Sequence, residues 1–158
     1  MNRLSTMTAV LIALAGCTKT TSTTTASTKA GISESDAAKI ADDTLGVWRS
    51  MDAAKINATY APEIAGFDMV MPALISDRAT WNKAADGFAA AKIDGIEATA
   101  RKIQVLNADT FIVSQSDKIT SSTLPKNNSA VRCTDVFERG VDGKWLIVNE
   151  HCSAEPKA

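Results

Sequence analysis

The chain has 158 residues, of which 45% are hydrophobic and 22% are charged, and its formal net charge is −1. This length suits a single domain with a core of its own and is too short for two domains of ordinary size. We do not expect nucleic acid as a partner, because the net charge is nearly neutral and the sequence has no basic stripe.

The N-terminal residues predict export. One basic residue, Arg3, precedes a short apolar run at residues 9–14, which cannot span a bilayer and is typical of a secretory signal. The sequence Leu14-Ala15-Gly16-Cys17 resembles the lipobox of bacterial lipoproteins, in which the cysteine becomes lipid-modified. We therefore expect a signal peptide at residues 1–16 and membrane attachment through the lipid on Cys17, since several acyl chains anchor a protein stably.

The segment after the signal peptide predicts a flexible tether. Residues 17–31 are rich in Thr and Ser and hold no large apolar side chain. Such a segment cannot bury enough surface to offset the entropy lost on ordering, so the folded domain is predicted at residues 32–156. Thr18 gives no clear signal for retention at an inner membrane. We expect a bacterial cell-envelope protein, at the periplasmic face of the outer membrane where the organism has one.

Two long amphipathic helices are predicted in the first half of the domain. Ser33 with Asp36 three residues later resembles a capping box, and Asp77 can cap a further helix. Apolar residues recur at helical spacing after both caps, which predicts one packed face on each helix. The apolar faces comprise Ile40, Thr44, Val47, Trp48 and Met51 in the first helix and Trp81, Ala84, Phe88 and Ala91 in the other.

A short helix is predicted between these two. Asp52 can cap a helix that runs through Ile56 and Tyr60. Ala61-Pro62 would end it, because proline disfavours helical geometry in the residue before it. A brief strand or extended segment is then predicted around residues 67–71.

The second half of the domain predicts antiparallel strands. Alternating residues at 93–106 and 110–120 are followed by two strands around Asp142-Gly143, a pair that tolerates the positive φ angles of a tight hairpin turn. Helices followed by a meander of strands predict an α+β domain in which a curved sheet lays one face on the helices. Such a sheet tends to leave a cavity for a ligand.

The two remaining cysteines, Cys133 and Cys152, fall on the two strands of this hairpin. In an exported protein such a pair suggests a disulfide. If the turn consists of Asp142-Gly143 alone, counting outward places the two cysteines opposite each other. A bulge at Gly140 would instead turn Cys133 to the opposite face, so the sequence leaves the disulfide open.

Several local sequences accompany this order of elements: Tyr60-Ala61-Pro62-Glu63-Ile64, Phe67-Asp68, Trp81, Thr134-Asp135-Val136 and His151-Cys152-Ser153. Together they resemble the nuclear transport factor 2 superfamily and, within it, SnoaL-like domains, including ketosteroid isomerase homologues. The final strand is also similar to the end of the association domain of calcium/calmodulin-dependent kinase II. The resemblance implies a cone-shaped α+β fold with about three N-terminal helices on a curved antiparallel sheet that encloses a pocket, often as a dimer.

Asp68 and His151 are the candidate catalytic residues. A carboxylate between Phe67 and Met69 can have a raised pKa and act as a general base next to a carbonyl, which is the reaction type of the isomerase branch. The imidazole of His151 can move protons near neutral pH. The alternatives are an aspartate in an exposed turn and a histidine that holds strands together inside the sheet.

The candidate ligand-binding residues are of two kinds. Arg132 and Thr134 share one strand face, where a guanidinium could pair with a carboxylate. Aromatic residues on the helices would line a cavity wall, or would simply be core. These aromatic residues are Trp48, Tyr60, Trp81 and Phe88.

Three functions follow from the sequence. The first is a membrane-anchored domain that binds a small apolar or carboxylated molecule in its cavity. The second is an isomerase-like or cyclase-like enzyme that uses Asp68 and His151, and the third is a module that homodimerises through its sheet.

No metal or other cofactor is expected, because the chain has one histidine and the cysteines lack the spacing of a zinc site.

Overall fold

The computed structural model describes residues 31–69, 71, 73–122 and 130–155. The predicted signal peptide, Cys17 and nearly all of the tether lie outside these residues. Three helices and five strands make up the described part of the chain, and the predicted α+β class is confirmed. The elements are α1 (Glu34–Arg49), α2 (Ala53–Asn57), β1 (Tyr60–Phe67), α3 (Arg78–Ala90), β2 (Ile93–Asn107), β3 (Thr110–Ser121), β4 (Ala130–Arg139) and β5 (Trp145–Ala154).

Each helix begins at the predicted capping residue. The side chain of Ser33 accepts a hydrogen bond from the backbone amide of Asp36 at 3.1 Å, and Asp77 accepts one from the amide of Thr80 at 2.8 Å. Asp52 accepts from two backbone amides in the first turn of α2. These side chains satisfy amide groups that have no partner within the helix, which fixes where each helix starts.

The prediction for α2 was wrong at its C-terminal end. The helix ends at Asn57, and Tyr60 is the first residue of β1 rather than the last of a helix. The strand predicted at 67–71 therefore lies earlier, at Tyr60–Phe67, and contains Pro62. Proline is tolerated there because β1 is an edge strand, where an absent amide leaves no ladder bond unmade.

The five strands form one curved sheet in the order β1-β5-β4-β3-β2. Strands β2 to β5 are antiparallel neighbours, as the meander predicted, whereas β1 pairs with β5 in parallel. The helices cover one face of this sheet, here called the inner face; the opposite side is the outer face.

The turn between β4 and β5 differs from the two-residue turn considered above. The Gly140 amide donates to the Lys144 carbonyl at 2.8 Å, and the Gly143 amide donates to the Gly140 carbonyl at 2.9 Å. Gly143 has a φ of +83°, which a glycine adopts without steric cost. The loop therefore has three residues, with the positive φ at its last position.

A bulge further along β5 compensates for this longer loop. Phe137 pairs with Ile147 but Val136 pairs with Asn149, so Val148 is an extra residue on β5. Beyond the bulge the register returns to the one counted from a two-residue turn. Cys133 consequently lies opposite Cys152, and the structure joins them by a disulfide of 2.04 Å.

Two groups of buried apolar side chains lie between the helices and the sheet. One contains Trp81 and the stacked rings of Phe111 and Phe137, and the other surrounds the disulfide. Trp48 and Phe88 contact both groups. None of the helices in the described ranges is long and apolar enough to cross a membrane.

Candidate functional site

A cavity of about 240 Å³ lies between the helices and the inner face of the sheet. Its walls come from α1, α2, α3 and all strands of the sheet, and most of its surface is apolar. This is the position at which a curved sheet separates from its helices, and concave apolar sites of this kind suit small ligands.

Four aromatic side chains form one wall of the cavity. The ring centroids of Trp48 and Tyr60 are 6.4 Å apart, those of Trp48 and Phe88 are 6.1 Å apart, and those of Tyr60 and Trp81 are 5.3 Å apart. Their contacts with one another fix the ring orientations, so this wall is preformed. These are the four aromatic residues for which the sequence left cavity wall and core as alternatives.

The polar part of the cavity is acidic. Glu150 is 3% exposed, and its Oε2 accepts a hydrogen bond from the hydroxyl of Tyr60 at 2.9 Å. Burial, the charge of Asp135 and the charge of Asp68 together raise the pKa of Glu150 well above its ordinary value. The Tyr60 hydrogen bond acts in the opposite direction and does not cancel the effect of burial.

Asp135 lies directly behind Glu150. The two residues are opposite each other on β4 and β5, and both are buried. Burial first and the charge of Asp117 second raise the pKa of Asp135 from 3.8 to about 7. Two neighbouring carboxyl groups in an apolar environment cannot both ionise cheaply, so this pair holds a proton at neutral pH.

Asp117 is a third buried acid and lines the cavity. Its Oδ2 accepts a hydrogen bond from Gln115 at 2.8 Å, and Gln115 Oε1 accepts one from Arg101 at 2.9 Å. Arg101 also pairs with Asp42 at 2.6 Å. Burial raises the pKa of Asp117, although Gln115, Arg101 and Arg49 lower it in part.

Three buried polar atoms around this acidic group have no hydrogen-bond partner within the described part of the chain. They are Oδ1 of Asp117, Oδ1 of Asp135 and the indole Nε1 of Trp48. Buried polar groups are normally paired, and leaving one unpaired costs about 1–3 kcal/mol. Three such atoms therefore lie beside one cavity, next to its acidic residues.

A metal ion does not fit this group well. Oxygens of Asp135 and Glu150 and the sulfur of Cys152 lie within 4.8 Å of one another. The sulfur of Cys152 is engaged in the disulfide, and only a thiolate is a strong metal ligand. Both carboxyl groups also favour the protonated form, which competes with metal binding.

Two contacts hold the acidic group in place from β1. Gly66 packs so closely on β5 that a Cβ atom at this position would lie 1.9 Å from the carbonyl oxygen of Glu150. Arg78, at the start of α3, donates to the carbonyl oxygens of Tyr60 and Ala61 at 2.9 Å and 2.7 Å, and also to that of Asn57. The first residue of β1 and the start of α3 are therefore fixed together.

Comparison with known proteins gives the family. The model of the SnoaL-like domain matches residues 38–156, which include most of α1, the other two helices, the whole sheet and every residue of the acidic group. The chain belongs to the SnoaL-like domain family. No curated protein matches its sequence.

Solved structures share the fold of this SnoaL-like domain. A Xanthomonas campestris protein assigned as a calcium/calmodulin-dependent protein kinase II association domain is 24% identical, with a TM-score of 0.68 over 80% of this chain and 91% of that chain. A Streptomyces avermitilis protein assigned as a dehydratase is 19% identical, with a TM-score of 0.63 over 77% and 94%. A Parabacteroides distasonis protein assigned as a ketosteroid isomerase is 16% identical, with a TM-score of 0.62 over 76% and 86%. At these identities the likeness establishes the fold alone.

The SnoaL-like domain separates the two candidate catalytic residues. Asp68 is half-buried and lines the cavity. His151 is exposed on the outer face, where its ring centroid is 5.4 Å from that of Phe67. Since the sheet lies between them, Asp68 and His151 do not form one site.

Arg132 and Thr134 also face outward. They line, together with His151 and Lys102, a groove of about 530 Å³ that we call the outer groove. Arg132 donates to the hydroxyl of Ser153 there at 2.9 Å. Neither residue reaches the cavity, and homodimerisation through the sheet stays a prediction.

Glu150, Asp135 and Asp117 were not among the residues selected from the sequence. Their signal is an acidic residue at the inward position of a strand, as for Asp135 between Cys133 and Phe137. For Glu150 that signal was hidden by the bulge at Val148. Alternation counted from Ile147 without a bulge puts His151 on the inner face and Glu150 on the outer face.

Proposed function

We propose that this SnoaL-like domain binds a small, largely apolar molecule in the cavity between its helices and sheet. The observation that supports this proposal is the cavity itself, which joins an aromatic wall to buried, unpaired polar atoms. Its volume of about 240 Å³ is below the range of about 300–1,000 Å³ typical of sites for drug-sized ligands. The guest is therefore small, on the scale of one ring with a short arm.

The charge of the cavity narrows the choice between an apolar and a carboxylated guest. Its charged lining residues are Asp68, Asp117 and Glu150, and no Lys, Arg or His of the described chain lines it. A carboxylate would lie next to like-charged or proton-sharing groups without a cationic partner. Arg132, the partner considered from the sequence, lies in the outer groove. We therefore favour a guest without a carboxylate.

We further propose that the lipid on Cys17 tethers this domain to a membrane of the bacterial cell envelope. The support is the sequence Leu14-Ala15-Gly16-Cys17 after a short apolar run, followed by a Thr/Ser-rich segment. Metabolic labelling with a palmitate analogue tests this directly. The full chain should incorporate the label and fractionate with membranes, and Cys17→Ser should do neither. A labelled Cys17→Ser variant would contradict the proposal.

Native mass spectrometry of the full chain, extracted from membranes in a mild detergent, tests the cavity. A bound guest should appear as a discrete added mass. As a defined probe, indole should raise the midpoint of thermal unfolding, because a ligand at about 100 times its Kd stabilises a protein by about 2.7 kcal/mol.

A matched pair of variants locates the binding. Ala84 lines the cavity on α3, whereas Ala90 on the same helix is exposed. Ala84→Phe should fill the cavity and abolish both the added mass and the indole effect, and Ala90→Phe should retain them. An empty chain that indole does not stabilise would overturn the proposed function. Equal binding by both variants would place the guest elsewhere.

Proton transfer on a bound molecule is a second candidate function. The observation that favours it is that Asp68 and Glu150 line one cavity and that the charge of Asp68 helps to raise the pKa of Glu150. Asp68 could act as the base that removes a proton next to a carbonyl group. A protonated Glu150, held in place by the Tyr60 hydroxyl, could donate a hydrogen bond to the oxygen that gains charge. In this candidate Glu150 takes the place considered for His151.

Deuterium exchange tests this candidate. The chain in D₂O with cyclohex-3-enone should exchange the protons between the carbonyl and the double bond faster than buffer does. Asp68→Asn should remove that acceleration by 100-fold or more, in line with the roughly 10²–10⁴-fold contribution of a positioned base. Asp86→Asn, at an exposed position of α3, should have no effect. Exchange at the buffer rate would argue for binding without catalysis.

A further inference from the structure

The polar end of the cavity is rich in hydrogen-bond acceptors. Asp117 and Glu150 line it, and Asp135 lies directly behind Glu150. From Asp117 and the aromatic wall beside it, we propose that the guest carries a protonated amine, held between the carboxylate of Asp117 and the aromatic rings. This inference rests on the proposed binding function and names the chemical class of the ligand.

Asp117 is the residue that points most directly to such a ligand. It is 5% exposed and lines the cavity, and only one of its carboxylate oxygens is paired. Oδ1 has no hydrogen-bond partner within the described residues. Burying an unpaired acceptor is costly, so a guest that supplies an N–H donor to the Asp117 carboxylate gains free energy that is otherwise lost. An ammonium group supplies three donors and no acceptor.

Charge favours an ammonium group over a neutral donor. Coulomb attraction is stronger inside a protein than in water because the local dielectric constant is lower. The positive groups nearest to Asp117 are Arg101, which reaches it through Gln115, and Arg49, whose Nε donates to the Ile96 carbonyl. Neither arginine lines the cavity. No basic side chain of the described residues therefore lines the space that Asp117 and Glu150 face.

The aromatic wall provides a second, independent attraction. Trp48 and Tyr60 line the cavity beside Glu150, with Trp81 and Phe88 adjoining them. A cation over an aromatic face gains about 0.5–2 kcal/mol, and aromatic cages recognise quaternary ammonium groups in this way. An alcohol guest would contact the same rings without this gain.

Three probes with one phenyl ring and a two-carbon arm separate these attractions. They are 2-phenylethylamine, which is cationic at pH 7, 2-phenylethanol, which is neutral, and 3-phenylpropanoate, which is anionic. Isothermal titration calorimetry on the full chain in detergent, with protein-free micelles as the blank, compares their affinities. The amine should bind at least 10-fold more tightly than the alcohol, and the propanoate should show no binding.

Variants of the chain then test which residue causes the preference for the amine over the alcohol. Asp117→Asn keeps the shape of the side chain but removes its charge, so it should reduce the amine-to-alcohol ratio at least 5-fold and leave alcohol binding nearly unchanged. Asp86→Asn removes the same charge from an exposed position of α3 and should keep the ratio of the original chain. If Asp117→Asn does not fold, the comparison of the three probes on the original chain still decides the proposal.

The other outcomes are distinct. Tighter binding of the alcohol or the propanoate than of the amine would overturn the amine proposal and would still show that the cavity accepts small molecules. An unchanged ratio in Asp117→Asn would also overturn it. If no probe binds, the amine proposal fails, whereas the proposed binding function fails only if the native mass spectrum and the indole measurement are blank as well.

Discussion

The hydroxyl of Tyr60 and the carboxyl group of Glu150 are joined by a buried hydrogen bond of 2.9 Å. It connects the first residue of β1 to the middle of β5, across 90 positions of the sequence. Since both side chains also line the cavity, this bond couples the packing of the edge strand to the polar end of the proposed site.

Removing the hydroxyl should therefore affect both stability and titration. Tyr60→Phe should lower the free energy of unfolding by about 1–3 kcal/mol, because a buried carboxyl group loses its partner. The pKa of Glu150 should rise further, since the Tyr60 hydrogen bond now lowers it. Urea unfolding measures the first effect. A double-mutant cycle with Glu150→Gln should give a clear coupling energy, and simple additivity would show that the bond is energetically unimportant.

The buried acids predict an unusual dependence of stability on pH. The pKa of Asp135 is 3.8 ordinarily and about 7 in the folded chain, so the folded state binds more protons than the unfolded state between these values. The stabilisation of the folded state by the proton on Asp135 is complete below pH 4 and is lost as pH rises towards 7. It amounts to at most about 4 kcal/mol, at about 1.4 kcal/mol for each pKa unit.

Glu150 also makes the free energy of unfolding fall with rising pH, because its pKa is raised in the folded chain as that of Asp135 is. Urea unfolding at pH values from 4.5 to 8 should therefore show the free energy of unfolding falling with pH. Asp135→Asn should flatten this profile, and Asp86→Asn should leave it unchanged. A chain that becomes steadily more stable up to pH 8 would contradict the placement of these acids.

The close approach of β1 and β5 predicts that Gly66 cannot be replaced. Gly66→Ala should lower the free energy of unfolding by more than about 3 kcal/mol, since backbone must move to admit the methyl group. Gly46→Ala provides the control, because a Cβ at that exposed position of α1 meets nothing within 4 Å. It should stabilise the chain by about 0.4–1 kcal/mol. Equal effects of the two substitutions would mean that the strands are not packed as described.

The disulfide predicts a loss of stability on reduction. Cys133 and Cys152 are separated by 19 positions, and a loop of that size contributes about 3 kcal/mol in the chain-entropy treatment. The double variant Cys133→Ala and Cys152→Ala should lose at least that much, because it also opens space in the cavity wall. Alkylation without reductant, followed by mass spectrometry, should label neither cysteine of the original chain.

The sequence predicted most of the fold because its main signals are local. The capping residues Ser33, Asp52 and Asp77 mark all three helix starts, and alternation predicts β2 and β3 to within a residue or two. The pairing of β1 with β5 was missed because it is a long-range contact. Ile147 donates to the Thr59 carbonyl at 2.9 Å, and this pairing overrides the local helical pattern that ends in Tyr60.

The site was harder to predict than the fold. Trp48, Trp81 and Phe88 on the cavity wall follow from helical spacing, and Tyr60 was selected although it was assigned to a helix. The acidic group depends instead on which face each strand residue occupies. Two departures from regular geometry, in the turn and at Val148, cancel at Cys133 and Cys152. The cysteine pair is therefore reached even by a count that places the turn incorrectly, whereas His151 is assigned to the wrong face by alternation from Ile147.

The extra residue at Val148 also decides the chemistry of the interior. A regular strand of the same sequence, with Phe137 opposite Ile147 and Val148 paired rather than bulged, would turn Asn149 and His151 towards the helices, and Glu150 and Cys152 towards solvent. The presence or absence of one bulge can therefore exchange an acidic interior for one with an amide and an imidazole while every side chain stays the same. In this fold, a change of ligand can arise when the residues of one strand exchange faces, and it needs no substitution at the site.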